Sequence, residues 1–402
     1  MQLLTRPVVN GMRAEPHVSD LRHHVSGATA DAVVFLLVDA LRHDYVGRTR
    51  FLADVAARSV TGQLEEPFGF CPRGAYFGGL TMAEQGYTNL FRFDPARSPF
   101  GWTRELAGSA GAGDASLRAA LRPGIVARAK AVVPPFAAMY LDPLDIPLPW
   151  LSYFDVCERV GPASASVGYR SLFHDLDGRG DPWLDVSWPY LGWTGPLTSG
   201  RVAGMALEAL RPAHRFAFIH LPELDMIGHA FGPGSRELQA ALEDTDRLCE
   251  LLCARIGEIY RDPVIVIAGD HGMLPVVRRV DVAQALAATG LRFGDEIAYF
   301  IDSTMVRLWG FTPSALPRAL DALAACGGGR LLDDDDWRRY GLAGIDARNG
   351  QAIVLADPGV LFTPNFFDWG GNGTIRGMHG YAPDVIDNRA ALMVYRPHAP
   401  GS

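Results

Sequence analysis

The sequence predicts an α/β fold built on a mainly parallel sheet, with a smaller inserted or capping subdomain. Three apolar runs carry that reading: residues 33–39 (VVFLLVD), 216–221 and 264–269 (VIVIAG). Each is apolar on both faces, as strands of a parallel sheet covered by helices must be. Each also stops at a potential metal ligand or polar cluster, and in open α/β sheets the ligand crevice lies beyond the carboxyl ends of the strands. The segments between the runs are long enough to supply crossover helices.

Along the chain, 48–57 reads as a short helix, and 64–79 carries turn residues that lead into another. An irregular stretch rich in proline and aromatic residues follows. After the second apolar run comes the turn segment 222–234. Ser235 then stands where an N-cap belongs, before an amphipathic helix running to about Tyr260. Cys249 and Cys253 lie four apart on that helix, as core or half-buried residues. Residues 311–325 read as helix, 351–356 as strand and 369–380 as a glycine-rich loop. Residues 1–29 form an N-terminal extension to a catalytic domain over 30–402. Within it, 275–365 is expected to form a small subdomain over the site. The Pro- and Trp-rich 102–200 is expected to line a substrate cleft or simply to pack as an insertion.

Composition narrows the class. Of 402 residues, 48% are hydrophobic and 20% charged, which excludes a disordered or fibrous chain. A formal charge of −8 gives no field favouring nucleic acid, and no basic stripe or Cys/His finger spacing marks a nucleic-acid module. The 5 cysteines do not suggest a disulfide framework in a chain of this size. No apolar run reaches the roughly 18 residues of a membrane span, and 1–27 has no signal-peptide core. A cytoplasmic setting is the expectation, and the oligomeric state is left open.

The chemistry sits at the strand ends. Asp39, Asp225, His229, Asp270, His271 and His379 are the candidate metal ligands. Asp225 and His229 are four apart in DMIGH, on one helical face or one side of a tight turn. Asp270 and His271 are adjacent in GDHGM, and neighbours rarely aim at one atom, so the pair suits two ions set close together. Taken singly, each residue also has a structural reading as a cap, a turn or a hydrogen-bonded histidine. Oxygen and imidazole ligands suit zinc first and manganese second.

With these blocks in hand, the chain resembles the alkaline phosphatase superfamily, most of all its nucleotide pyrophosphatase/phosphodiesterase branch. LLVDALRHDYV at 36–46, the 69–79 segment, ELDMIGHAFGP at 223–233, AGDHGM at 268–273 and GMHGY at 377–381 carry the likeness in order. The resemblance implies an α/β/α sandwich. It also implies two divalent ions, one held by Asp225, His229 and His379, the other by Asp39, Asp270 and His271. His43 and Asp44 are then supporting or surface residues. Two close ions neutralise a phosphoryl group and stabilise the departing oxygen. The expected activity is metal-dependent hydrolysis of phosphodiester or pyrophosphate bonds in a small-molecule phosphoester.

The family's Thr or Ser nucleophile is missing. PFGFCPRGAYFGG offers Cys71 in or near that place, at the start of a helix whose dipole would lower its pKa. Cys71 is therefore read as attacking group, metal ligand or passive wall, and Gly69 or Phe70 could hold the family position instead. Without a nucleophile, water activated at the metal site attacks directly. Arg73, Asn372 and Arg376 are the candidate phosphate contacts. Three alternatives accompany the main reading: a phosphomonoesterase or phosphoryl transferase on the same site, a degenerate metal- or phosphoester-binding protein, and a sulfatase. The last is suggested by Cys71-Pro72-Arg73, which lacks the spacing of a formylglycine signal.

Overall fold

A computed structural model describes residues 30–107, 123, 124, 126–133, 146–187, 198–367 and 375–397. The expected N-terminal extension therefore lies outside the described residues. Six strands form the central sheet: β1 (Ala32–Val38), β2 (Val60–Leu64), β3 (Trp183–Val186), β4 (Phe216–Leu221), β5 (Pro263–Ala268) and β6 (Ala390–Tyr395). Their order is β2-β6-β5-β1-β4-β3. All run parallel except β6, which is antiparallel to both of its neighbours. The three predicted runs are β1, β4 and β5, side by side at the sheet centre.

Helices α1 (Arg50–Ala57), α2 (Arg73–Gly78), α3 (Leu172–Arg179), α4 (Ser199–Ala209), α5 (Glu223–Phe231) and α6 (Arg236–Ile259) follow the strands. The period-2 alternation of β1 divides them between two faces. Val34, Leu36 and Val38 pack with Leu52 and Val55 of α1, Val202 and Ala206 of α4, and Leu242, Cys249 and Ile256 of α6. Phe35 and Leu37 pack on the other face with Phe77 of α2 and Leu172, Phe173 and Leu176 of α3. The result is the expected α/β/α sandwich. Ser235 caps α6 as its position predicts, accepting from Leu238 N at 3.0 Å, and Cys249 and Cys253 are buried.

A second, antiparallel sheet falls inside 275–365. Its strands are ordered Ile297–Asp302, Met305–Gly310, Ala352–Ala356 and Gly329–Leu331. The helix read at 311–325 begins later, at Ala315, after a turn through Pro313. Arg307 and Asp302 form an ion pair at 2.6 Å inside this unit, with side chains 0% and 1% exposed. In the 102–200 region, Trp150 stacks on Phe293 at 3.9 Å between centroids, and Tyr153 packs against the same apolar cluster. Trp188, Tyr190 and Trp193 lie outside the described residues. Among the described residues, no helix is long and apolar enough to cross a membrane.

Candidate active site

The carboxyl ends of β1 and β5 and the start of α5 meet at one end of the sheet. Asp39 continues the β1 ladder by donating its N–H to Leu221 O at 3.0 Å. A sharp turn with Ala40 at φ 57° follows, and Ala40 N donates to Asp270 Oδ1 at 3.1 Å. Asp225 and His229 lie one turn apart on α5, with His229 Nε2 3.0 Å from Asp225 Oδ1. His379 follows the two-residue strand Gly377–Met378, which pairs with Leu274–Pro275 just beyond Asp270 and His271. The six residues singled out at strand ends and loops thus come together in one cluster.

Its geometry is tight. Asp225 Oδ1 has His229 Nε2, His271 Nε2 and His379 Nε2 at 3.0, 3.9 and 4.0 Å. Asp39 Oδ1 is 3.2 Å from His271 Nε2, and Asp270 Oδ1 is 3.6 Å from the same atom. The His271 and His379 rings stack at 3.5 Å, 2° from parallel. Asp225, His229 and His379 can converge on one ion, the trio the resemblance implies. A second convergent set, Asp39, Asp225 and His271, contains Asp225 where the resemblance has Asp270.

All three imidazoles are anchored from behind. His229 Nδ1 lies 2.9 Å from Gly377 O, His271 Nδ1 2.8 Å from Gly272 O, and His379 Nδ1 2.7 Å from Glu66 Oε1. Carbonyl oxygens only accept, so His229 and His271 carry a proton on Nδ1, as His379 does when Glu66 is ionised, and each Nε2 turns inward, where a neutral ring offers its lone pair. Asp225 Oδ1, in their midst, is buried and makes no hydrogen bond. A buried carboxylate oxygen with no well-aligned donor, ringed by three Nε2 atoms, fits a divalent cation once those rings are neutral.

The cluster is strongly charged: burial opposes protonation of His271 and His229, yet Asp270 and Asp39 around the first and Asp225 beside the second raise both above an ordinary histidine. Burial opposes ionisation of Asp39, yet hydrogen bonds from His220 and His271 hold it well below the usual carboxylate range. Burial and the charge of Asp39 push Asp270 up to about 7, and burial pushes Glu66 up to about 7. Burial and the neighbouring His271 depress His379 well below an ordinary histidine. Asp39 and Asp270 repel one another, and a divalent cation would relieve that repulsion.

Two contributors went unread in the sequence. Glu66 joins His379 to the end of β2, its second oxygen accepting from Gly380 N at 3.0 Å and Asn388 Nδ2 at 2.7 Å. His220 lies inside β4, its Nε2 2.9 Å from Asp39 Oδ2. A histidine in an otherwise apolar strand was an available signal for the second, whereas Glu66 in EEPFG looks like an ordinary turn acid. His43 and Asp44 do not fill these supporting places: His43 Nδ1 lies 3.4 Å from Arg389 O, and Asp44 pairs with Arg42 and Arg48, each at 2.5 Å.

Among the described residues, the phosphate-contact and nucleophile candidates have side-chain surroundings outside the cluster. Pro72, not Cys71, is the N-cap of α2. Cys71 is buried in an apolar cluster with Leu90, Phe91 and Phe154. Burial first, then the charge of Glu158, raise its thiol well above the ordinary value. The expected lowering of that pKa is reversed because the side chain enters the core before the helix begins. Arg73 pairs with the buried Glu158. Arg376 gives its N–H to His229 O at 2.7 Å, while its exposed side chain borders an open groove of about 600 Å³ shared with Phe231 and Arg279. Asn372 lies outside the described residues. The side chain that does face a ligand is Phe70, whose ring meets His379 edge-on at 5.2 Å and 75°.

Comparison with known proteins places these residues in context. The type I phosphodiesterase / nucleotide pyrophosphatase family profile matches residues 175–382, just over half of the chain. Asp225, His229, Asp270, His271 and His379 fall inside that span, and Asp39 and Cys71 outside it. Murine ectonucleotide pyrophosphatase / phosphodiesterase 5, solved as an inactive threonine-to-alanine variant in complex with AMP, is similar with a TM-score of 0.63 and 13% identity. That match covers 90% of this chain and 87% of the murine one. The human protein of the same name gives a TM-score of 0.62 at 13% identity, over 90% and 87% of the two chains. These structures share the fold, and the profile match assigns the chain: it belongs to the type I phosphodiesterase / nucleotide pyrophosphatase family.

Proposed function

We propose that the protein is a divalent-metal-dependent hydrolase of small-molecule phosphodiesters or pyrophosphates, with two ions beyond the carboxyl ends of β1 and β5, beside α5. The observation that carries the reading is Asp225 Oδ1, buried, without a hydrogen bond, and faced by three Nε2 atoms whose rings are anchored behind. Asp225, His229 and His379 would hold one ion, and Asp39, Asp270 and His271 the other, zinc first and manganese second. When bound, the ions neutralise phosphoryl oxygens and the charge on the departing oxygen. His220 and Glu66 orient Asp39 and His379. Tyr76 Oη, donating to Asp270 O at 2.9 Å, holds the Asp270–His271 turn. Arg73, braced by Glu158 and close enough to act on His220, is proposed to grip a non-bridging phosphoryl oxygen. The murine neighbour's AMP supports a nucleotide as the substrate type.

Elemental analysis of protein reconstituted with zinc or manganese, joined to assays on an aryl phosphodiester, tests this. About two ions per chain and metal-dependent turnover are expected. Asp225→Asn should cost more than the ~10–100-fold seen when only a supporting partner is lost. Less than one ion per chain under every metal tried would defeat the proposal.

A further inference from the structure

We infer that Asn388 is a positioning residue that holds the ligands of both ions in one frame. Its side-chain amide sets Glu66 behind His379, and its main-chain carbonyl sets the loop that carries Asp270 and His271. This rests on the metal-dependent reading above and adds to it a residue outside the proposed ligand set.

The sheet register puts Asn388 in that place. β6 lies between β2 and β5 and is antiparallel to both. Ala390 is opposite Leu64 on one side, so two residues further back residue 388 falls opposite Glu66. On the other side Leu392 is opposite Ala268, and Gly269 N donates to Ala391 O at 3.0 Å. Continued past the strands, that pairing brings residue 388 opposite Gly272. Both extensions are bonded. Asn388 Nδ2 donates to Glu66 Oε2 at 2.7 Å. Gly272 N donates to Asn388 O at 2.8 Å, with Met273 N on Asp387 O at 3.0 Å beside it. The approach at Gly272 leaves no room for a side chain, because a Cβ there would collide with Asp387 O.

Each bond leads to one of the two stacked rings. Through Glu66 it reaches His379, whose Nδ1 lies 2.7 Å from Glu66 Oε1. Through Gly272 it reaches His271, whose Nδ1 lies 2.8 Å from the Gly272 carbonyl. The rings meet at 3.5 Å, and the proposed division gives them to different ions. Asn388 thus sets the spacing of the two sites from behind. The residue is 0% exposed, and its Oδ1 is buried without a hydrogen bond. An orphaned amide oxygen in the interior is costly, so packing alone favours an apolar side chain here. What asparagine supplies that leucine cannot is the bond to Glu66.

The two bonds separate by mutation, because Asn388→Ala removes the amide and keeps the main-chain carbonyl. Full-length metal-free protein is titrated with zinc against a chromogenic chelator, beside Glu66→Ala and the double variant. In Asn388→Ala, the binding step that Glu66→Ala weakens should weaken about tenfold, the lower end of the range for a supporting partner. The other step should stay within about twofold, as for an uncoupled site. In the Glu66→Ala background the same substitution should add no more than about twofold, since the partner it acts through is already gone. Full loss in both backgrounds, equal loss at both steps, or no loss at all overturns the inference. Asn388→Asp keeps the shape but turns the donor into an acceptor facing Glu66. It should weaken the same step at least as much as alanine does, and parent-like affinity overturns the inference. A readout independent of ions is the imidazole ¹H–¹⁵N spectrum of metal-free protein. There Asn388→Ala should shift His379 and leave His229 in place, and an unmoved His379 overturns the inference. Less than one ion per chain in the parent defeats the metal reading and this inference together, whereas a parent that binds both ions without these selective losses defeats the inference alone.

Discussion

Glu66 accepts from His379 Nδ1 through one oxygen and from Gly380 N and Asn388 Nδ2 through the other. It therefore sets both the tautomer and the direction of a ligand it does not replace. Glu66→Ala should weaken metal affinity by roughly 10–100-fold, measured by competition with a chromogenic chelator. Glu66→Gln, which keeps an acceptor for Nδ1 but loses the charge, should fall between. Equal affinity in all three proteins, with only the thermal midpoint lowered, would leave Glu66 a packing residue. Its absence from the sequence reading has a plain cause: Glu66 and His379 are 313 positions apart, and nothing local in EEPFG marks the acid for that partner. The six ligand candidates were legible because each follows an apolar strand or sits in a compact block such as DMIGH or GDHGM. His220 was overlooked inside a strand whose other residues are all apolar or aromatic.

The loop between β2 and α2 shows where local rules stop working at the scale of an element. A cysteine ahead of a helix suggests an activated thiol, but α2 starts at Arg73 with Pro72 as its cap, and the loop leaves the Cys71 side chain buried in an apolar cluster. Gly69 is the hinge of that arrangement: it has φ +95°, and a Cβ there would collide with the Thr88 carbonyl, which accepts from Phe70 N at 2.9 Å and Cys71 N at 3.1 Å. Gly69→Ala should destabilise the protein by more than the ~0.4–1 kcal/mol that glycine replacement gains at compatible sites, read from the denaturation midpoint. It should also perturb Phe70, visible as altered chemical shifts of His379. An unchanged midpoint would mean that the loop tolerates a Cβ and is less rigid than its hydrogen bonds imply. The strands sort by the same logic. β1, β4 and β5 announce themselves because both faces are buried. β2 (VTGQL) is half-exposed and interrupted by glycine. β6 (AALMVY) is fully buried, yet Ala, Leu and Met favour helix and no polar cluster ends the run, so its period is ambiguous.

Across the whole molecule, the candidate ligands join parts of the chain that lie far apart in sequence. Asp39 and Asp270–His271 follow central strands, Asp225 and His229 ride on α5, and His379 lies on a loop that the second sheet holds from the other side. There Thr304, in the turn between Ile297–Asp302 and Met305–Gly310, donates to Gly380 O at 2.6 Å, and neighbouring Ser303 O accepts from Phe362 N at 2.8 Å. An ion that binds the native cluster and not the unfolded chain stabilises by mass action, about 2.7 kcal/mol per site at a hundred times its dissociation constant. That stabilisation should spread along both routes out of the cluster. Adding zinc to metal-free protein is expected to slow amide exchange in β1 and β5 and also in 297–310. Thr304→Val, which keeps the shape and removes the donor, should preserve the first effect and reduce the second. If zinc protects the central strands alone in the parent protein, the second sheet is a passive neighbour of the site and Thr304 couples nothing. If both effects survive in Thr304→Val, the coupling runs through the apolar packing beneath Phe70 and His379.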